Sequence, residues 1–251
     1  MLGHLRSKFD KLAAQAADRY LDFKPFIQDL EIEGAPLRFF VATAQSADWY
    51  CPMKPRNKAE LEWLVANLDL GGERIIDAGA YHGLYTLAFA KTAGPAGQVT
   101  AVDPVTSNCA IMEANLALNG LSAEVENFAI SNKAGKVSFS KGSCGHILPS
   151  GDHWVQARRL RDLVPDATVV KCDIEGEEFS VIPAQVDEMN KVRAWIVEIH
   201  PGPDRNPRTL VDTFASRGYR LLWSGSPDGR IVPYEGETIS ERITLIALRG
   251  T

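Results

Sequence analysis

The amino-acid sequence predicts an α/β fold whose central sheet is mostly parallel and is covered by helices on both faces. From residue 73 onward, short apolar runs rich in β-branched residues alternate with segments of helical periodicity. That alternation is typical of parallel sheets. The last two strand candidates, 219–223 and 243–248, have no helix between them, so the final strand should run antiparallel to the others.

The individual elements follow from hydrophobic periodicity and from the glycine, proline and asparagine residues at their ends. The other predicted strands are 30–32, 37–41, 74–78, 98–103, 123–130, 167–172 and 194–199. The predicted helices are 58–68, 84–92, 107–119, one that ends near 189, and 209–217. Residues 136–140 are expected to add an antiparallel strand to the sheet, and 224–240 to form a polar loop.

The chain divides into an N-terminal extension, residues 1–57, and an α/β domain, residues 58–251. Apolar residues between Leu5 and Tyr20 recur at helical spacing among charges of both signs. This pattern predicts an amphipathic helix rather than a secretory signal. Such a helix is suited to cover the core, to join a homodimer or to form a lid.

The composition predicts a globular, cytoplasmic protein that does not bind nucleic acid. The 251 residues carry a net charge of −5, whereas nucleic-acid-binding proteins usually have a basic excess. The short basic cluster of Arg158, Arg159 and Arg161 is interpreted as a solvated helix start, with an anionic-substrate contact as the alternative. The four cysteines match no zinc module, which favours reduced thiols, and no apolar run is long enough for a membrane span.

The first strand of the α/β domain ends in a glycine turn that is suited to a nucleotide-like ligand. Asp77 and Gly79 follow the apolar run, and Gly83 opens the next helix, whose N-terminal amides suit an anionic group. The next strand ends in Asp103, a carboxylate placed to accept hydrogen bonds from ribose hydroxyls. Because ligands of such sheets bind at the carboxyl ends of the strands, we expect a cofactor there.

The charge of Asp77 decides between two cofactors in this interpretation. A dinucleotide site usually has the pattern GxGxxG, whereas this turn has only Gly79 and Gly83. Asp77 is expected to direct a negative charge into the turn. That charge would repel the pyrophosphate of NAD and attract the ammonium and sulfonium groups of S-adenosylmethionine (SAM), so it favours SAM.

Two later strands end in charged residues that should face the same cleft. Because strand side chains alternate between faces, Lys171, Asp173 and Glu175 should project to one side, as should Glu198 and His200 on the next strand. Such a group is suited to hold an acceptor hydroxyl and remove its proton. It is also suited to bind a divalent metal through Asp173, Glu198 and His200. A structural Lys171–Asp173 ion pair and a loop role for His200 are the alternatives.

These segments together resemble the FkbM family of SAM-dependent methyltransferases. The similarity covers about residues 60–224, and its most specific part is KCDIEGEE at 171–178, which resembles the family pattern KxDxEGxE. The turn DAGAYHGLYT at 77–86 resembles DxGAxxGxYT. Tyr81 and His82 depart from the family, which often has asparagine and an aliphatic residue there.

The resemblance implies a Rossmann-like, seven-stranded class I methyltransferase sheet with SAM as the cofactor. Asp103 would bind the ribose hydroxyls, with Pro104 and Asn108 beside it, and the charged residues at 171–175 would lie beside the transferred methyl group. The other residues implied to bind SAM are Asp77, Gly79, Ala80, Tyr81, Gly83, Tyr85, Thr86 and Asp173.

The sequence therefore predicts methyl transfer from SAM to a hydroxyl oxygen of a small molecule, such as a natural product, sugar or lipid. Asp173 or His200 would act as the base, and Lys171 or Glu175 would orient the acceptor. Three alternatives stay open: transfer to the nitrogen of a small amine, an NAD-linked oxidoreductase, and a SAM-binding subunit without catalytic activity.

Overall fold

The computed structural model of the chain describes residues 22–140, 142, 144–226 and 229–250. The amphipathic helix predicted between Leu5 and Tyr20 lies outside these residues. The helices are α1 (Ala44–Tyr50), α2 (Pro55–Asn67), α3 (Leu84–Ala93), α4 (Thr106–Asn119), α5 (Glu178–Gln185) and α6 (Pro207–Ala215). The strands are β1 (Phe26–Ile32), β2 (Ala35–Val41), β3 (Arg74–Ala78), β4 (Gln98–Val102), β5 (Glu124–Glu126), β6 (Ala129–Ile130), β7 (Gly135–Phe139), β8 (Ile147–Leu148), β9 (Trp154–Arg158), β10 (Val169–Cys172), β11 (Ala194–Ile199), β12 (Arg220–Trp223), β13 (Val232–Pro233) and β14 (Ile243–Leu248).

The central sheet has eight strands in the order β13-β12-β14-β11-β10-β3-β4-β5. The five strands from β11 to β5 run parallel, and β14 pairs antiparallel with both β11 and β12. The mostly parallel sheet and its antiparallel last strand are those predicted. The sheet has eight strands rather than seven because the two-residue strand β13, inside the expected loop 224–240, pairs with the outer edge of β12.

The apolar runs of the parallel strands fill two cores, one on each face of the central sheet. Ile75 and Val169 belong to one core, and their chain neighbours Ile76 and Val170 belong to the other. Successive strand side chains point to opposite faces, so a strand that is covered on both faces must be apolar throughout. This is why the sequence shows continuous apolar runs here rather than an alternation.

A second sheet, with the order β6-β9-β7-β8, accounts for two differences from the predicted strands. The strand expected at 136–140 is β7, and it pairs with β8 and β9 instead of joining the central sheet. The strand expected at 123–130 is divided between β5 in the central sheet and β6 in the second sheet. Both differences concern the choice of pairing partner, which local periodicity does not encode.

The basic cluster lies at the end of β9, near the protein surface. Arg158 is the last residue of this strand, and its guanidinium lies 4.6 Å from the centre of the Phe128 ring. Arg159 and Arg161 both pair with Glu188, and a 3-10 turn begins at Leu160. The cluster is therefore the end of a strand and not the start of an α-helix.

The N-terminal hairpin of β1 and β2 is fastened to α4 by two side-chain amides. The Phe40 N–H donates to Asn115 Oδ1 (2.6 Å), and the Arg38 N–H donates to Asn119 Oδ1 (2.8 Å). Asn119 Nδ2 donates in return to the Arg38 carbonyl (2.7 Å). Because the asparagines lie four residues apart on one helix face, they satisfy the edge of β2 that would otherwise stay open.

Asn115 also connects the hairpin to the glycine turn, since its Nδ2 donates to the His82 carbonyl (2.9 Å).

All four cysteines lie within the described residues and are free thiols, two of them buried. No helix of the described residues has both the length and the apolar character needed to cross a membrane.

Replacing Asn115 by Leu should lower the free energy of unfolding by about 2–4 kcal/mol, because it leaves the Phe40 N–H and the His82 carbonyl buried without partners. Urea denaturation would measure the change. Glu113→Leu, at an exposed site on the same helix, is the control and should stay within about 0.5 kcal/mol of the unmodified chain. A loss below 1 kcal/mol for Asn115→Leu, on the order of one ordinary hydrogen bond, would contradict the bridging role.

Candidate functional site

A cavity of about 300 Å³ opens at the carboxyl ends of β3, β4, β10 and β11. It lies where the strand order reverses, since β4 adjoins β3 on one side and β10 adjoins it on the other. Ligands of open α/β sheets bind at such a point. The volume is at the lower end of the range of small-molecule sites, about 300–1,000 Å³.

Gly79 brings the ends of β3 and β10 into contact at the cavity. Its φ is +79°, and a Cβ atom at this position would lie 1.7 Å from the carbonyl oxygen of Asp173. In addition, the Asp173 N–H donates to the Ala78 carbonyl (2.9 Å). A residue with a side chain at position 79 would separate the two strands, so glycine is required here for both its φ and its size.

Asp103 is a nearly buried carboxylate on the cavity wall, held by three donors. Its Oδ2 accepts from the Tyr81 N–H (3.0 Å), and its Oδ1 accepts from the Val105 N–H (2.8 Å) and from Asn108 Nδ2 (3.1 Å). Burial raises the pKa of Asp103 to about 7, although the three donors act in the opposite direction. The carboxylate is thus fixed in orientation, and it retains lone pairs that can accept from a ligand.

The wall next to Asp103 is apolar, which suits a flat aromatic ligand group. It consists of Pro104, Val105, Phe128, Ala129 and Ile130.

Lys171 is the buried cation at the other end of the cavity. Its Nζ lies 3.5 Å from Asp173 Oδ2 and 4.5 Å from the centre of the Tyr85 ring. Burial alone would lower the pKa of Lys171, but the nearby carboxylates, those of Asp173 and Asp77 first, outweigh it and raise the pKa. The side chain is therefore an ammonium group among acids.

Asp173 and Glu198 form a carboxyl pair in which one proton is shared. Burial and the charge of Asp173 raise the pKa of Glu198 well above its ordinary value. Burial acts in the same direction on Asp173, but Lys171 and the hydrogen bond with Glu198 lower its pKa. Glu198 thus carries the proton and donates it to an ionised Asp173.

His200 lies behind Asp173, in a position set by the fully buried Glu178. Glu178 Oε1 lies 3.0 Å from His200 Nδ1 and accepts the His200 N–H (2.9 Å), while its Oε2 accepts the Gly176 N–H (2.7 Å). The other ring nitrogen, Nε2, faces Glu175 Oε2 at 3.4 Å and Asp173 Oδ1 at 3.7 Å. Among the described residues, this nitrogen has no hydrogen-bond partner.

The structure brings most of the predicted cofactor residues together on the cavity wall. These are Gly79, Ala80, Tyr81, Tyr85, Asp103, Pro104 and Asp173. Two of the backbone positions with positive φ that are not glycine, Tyr81 (52°) and Glu175 (54°), also line the cavity. Backbone strain of this kind is concentrated at ligand sites.

Asp77, which was expected to face the cofactor, is not part of the cavity wall. Its side chain is fully buried, and its Oδ2 accepts from the Thr86 hydroxyl (2.6 Å) behind the cavity wall. Gly83 and Asn108 also lie off the wall. A Cβ at Gly83 would come within 2.6 Å of Met112, so this glycine permits helix packing, and Asn108 acts on the site through Asp103.

The charged residues also differ from the expected arrangement. Lys171, Asp173, Glu175 and Glu198 line the cavity, whereas His200 does not. The metal candidates were Asp173, Glu198 and His200. The described side chains whose ligand atoms lie within 4.8 Å of one another are instead Asp173, Glu175 and His200.

Several wall residues lie outside every predicted motif: Trp49, Tyr50, Lys54, Glu60, Arg242 and Thr244. The spacing of the sequence could have indicated that Glu60 is buried. It falls on the same face as Leu64 of α2 and Leu68, which follows the helix. Its Oε1 accepts from the Tyr85 hydroxyl (3.0 Å). An acid on an apolar helix face needs a partner of this kind.

Comparison with known proteins gives a family match and several similar folds. The sequence model of one protein family, the methyltransferase FkbM domain, matches residues 77–221 of this chain. A SAM-dependent methyltransferase from Agrobacterium tumefaciens is similar in structure, with a TM-score of 0.52 and 11% identity over 88% of this chain and 70% of that chain. At such identity the similarity shows the fold alone.

The methyltransferase FkbM from Methylobacillus flagellatus KT has a TM-score of 0.49 and 16% identity. Its match covers 72% of this chain and 45% of that chain, so the present chain spans less than half of that relative. The comparison with curated proteins gives no match.

The raised pKa of Asp103 predicts a pH-dependent stability. An acid whose pKa is higher in the folded chain stabilises the fold below its unfolded pKa, about 3.9, and loses this contribution as the pH rises through about 7. The unfolding free energy of the unmodified chain should therefore fall relative to that of Asp103→Asn as the pH rises from 4 to 8. Urea titrations across this range measure it, and a difference that does not change with pH would contradict the assignment.

Proposed function

The chain belongs to the FkbM methyltransferase family, and we propose that it transfers the methyl group of SAM to a hydroxyl oxygen of a small molecule. The observation that carries the proposal is the contact of Gly79 with Asp173. Through this contact, the carboxylate suited to a nucleoside and the lysine–carboxylate cluster share one cavity.

The wall residues fit SAM in the chemistry of their side chains. Asp103 has the free lone pairs that two ribose hydroxyls require, and the apolar wall beside it suits adenine. The carboxylates of Asp173 and Glu175 favour a positively charged group at the opposite end. When bound, SAM supplies an electrophilic methyl group on a positively charged sulfur.

Asp173 is the residue that we propose holds the acceptor. Lys171 fixes one of its oxygens, and the proton of Glu198 keeps it ionised, so it is a rigid acceptor of a hydrogen bond from a hydroxyl group. This bond would direct an oxygen lone pair towards the methyl group. The hydroxyl proton becomes strongly acidic as the new C–O bond forms, so a carboxylate of low pKa suffices to take it.

The acidic cluster favours oxygen over nitrogen as the acceptor atom. Beside the carboxylates of Asp173 and Glu175, an amine would be stabilised in its protonated form, which has no lone pair to attack with. The cavity volume of about 300 Å³, at the lower end of the range of small-molecule sites, supports a small molecule as the acceptor. The intact pair of Lys171 and Asp173 argues against a subunit that only binds SAM.

The variant Asp173→Asn should lose at least about 100-fold in turnover, since it loses the orienting carboxylate and proton acceptor. Its affinity for SAM should fall by no more than about 10-fold, because one carboxylate that faces the positive end of SAM is lost while Asp103 and the apolar wall are unchanged. Calorimetry with SAM and with its demethylated product measures binding. Release of the demethylated product, screened over matched hydroxyl and amine compounds, measures turnover.

Asp204→Asn, at an exposed acid outside the cavity, is the matched control and should behave like the unmodified chain. Unchanged turnover of Asp173→Asn would refute its role. A chain that binds NADH and not SAM, or that methylates amines only, would refute the proposed reaction.

A further inference from the structure

We infer that Asp173, Glu175 and His200 bind one divalent cation at the edge of the cavity. Their ligand atoms lie within 4.8 Å of one another, with His200 Nε2 3.4 Å from Glu175 Oε2 and 3.7 Å from Asp173 Oδ1. Both distances exceed an N–H···O hydrogen bond, about 2.7–3.2 Å. Two ligands that are each about 2.1 Å from one ion lie about 3–3.5 Å apart. The 3.4 Å pair fits this range, and the 3.7 Å pair would close by a few tenths of an ångström around an ion.

The orientation of His200 supports the same conclusion. Glu178 is fully buried and already accepts two backbone N–H groups, so His200 Nδ1 is the donor in their contact. In the neutral ring, Nε2 then presents its lone pair to Asp173 and Glu175. A histidine that donates one nitrogen to a carboxylate and offers the other to a cation is the usual arrangement around bound metals.

With the ring of His200 neutral and no cation present, this arrangement is unfavourable. His200 is 7% exposed, and its Nε2 has no hydrogen-bond partner among the described residues although two carboxylate oxygens face it. A buried lone pair opposite two acceptors costs free energy unless a positive group lies between them. An ion at this point would satisfy all three groups.

Two cations already contact these acids, and only one of them shares an oxygen with the proposed ion. Lys171 contacts Asp173 Oδ2, whereas His200 faces Oδ1, so the two oxygens are available separately. Arg242 is half exposed and lies 3.1 Å from Glu175 Oε2. The ion would compete with Arg242 for this oxygen.

The ligand set indicates the class of ion. Carboxylates suit Mg²⁺ and Mn²⁺, whereas imidazole suits Zn²⁺ and other transition metals, so two carboxylates with one imidazole favour Mn²⁺ or Zn²⁺. Three protein ligands leave open positions, which would hold an acceptor with two neighbouring oxygens, such as a diol or a hydroxy acid. This role towards the acceptor rests on the proposed function, but the binding of the ion does not.

The site can be tested by titrating the full chain with Mn²⁺. The free ion is measured by its electron paramagnetic resonance signal. The unmodified chain should bind one Mn²⁺ per chain. Glu175→Gln, at a partly exposed ligand, should lower the affinity at least about 10-fold, and Glu178→Gln should lower it about 10–100-fold. Arg242→Gln should raise the affinity, since it removes the competing cation. Glu113→Gln, at an exposed position of α4 outside the cavity wall, should not change it.

Absence of stoichiometric binding at millimolar Mn²⁺, or equal affinity in Glu175→Gln and the unmodified chain, would overturn the site. Calorimetry with SAM on the same samples separates this from the proposed function. A chain that binds SAM but not Mn²⁺ refutes the ion site alone. A chain that binds Mn²⁺ but not SAM refutes the methyltransferase proposal alone.

Discussion

The close contact between Gly79 and the Asp173 carbonyl is the constraint on which the site depends. The strands that precede these residues, β3 and β10, are paired in register up to Ala78 and Cys172, so their ends meet side by side. Because Gly79 has no Cβ, the glycine turn can lie directly against the charged segment after β10. One cavity then contains both the fixed carboxylate of Asp103 and the buried ammonium of Lys171.

Much of the fold could be predicted because the buried strands are local signals. The bounds of β3 and β11 match the predicted strands, since continuous runs of β-branched residues mark a strand that is covered on both faces. Pairing partners are not local, so β7 was assigned to the wrong sheet. The seven-residue helix α1 and the strand β9 were missed, because segments this short carry little periodicity.

The candidate site could be predicted in its motifs but not in its geometry. The prediction of SAM is supported by the family assignment rather than by the charge of Asp77, because that side chain is fully buried and its Oδ2 accepts from the Thr86 hydroxyl. Spacing also could not show that Glu175 reaches His200, since this depends on a left-handed φ at Glu175. The wall formed by Trp49 and its neighbours depends on the docking of the N-terminal hairpin, which follows no motif.

The most direct measurement is the affinity of Gly79→Ala for SAM, compared with that of Gly34→Ala. Both glycines have a φ between 70° and 80°, but a Cβ at Gly34 meets no atom within 4 Å, so this variant carries the backbone strain without the collision. Circular dichroism should first show that both variants are folded. Calorimetry should then show near-normal SAM binding for Gly34→Ala and loss of binding for Gly79→Ala. Equal affinity in the two variants would contradict the claim that the Gly79–Asp173 contact builds the site.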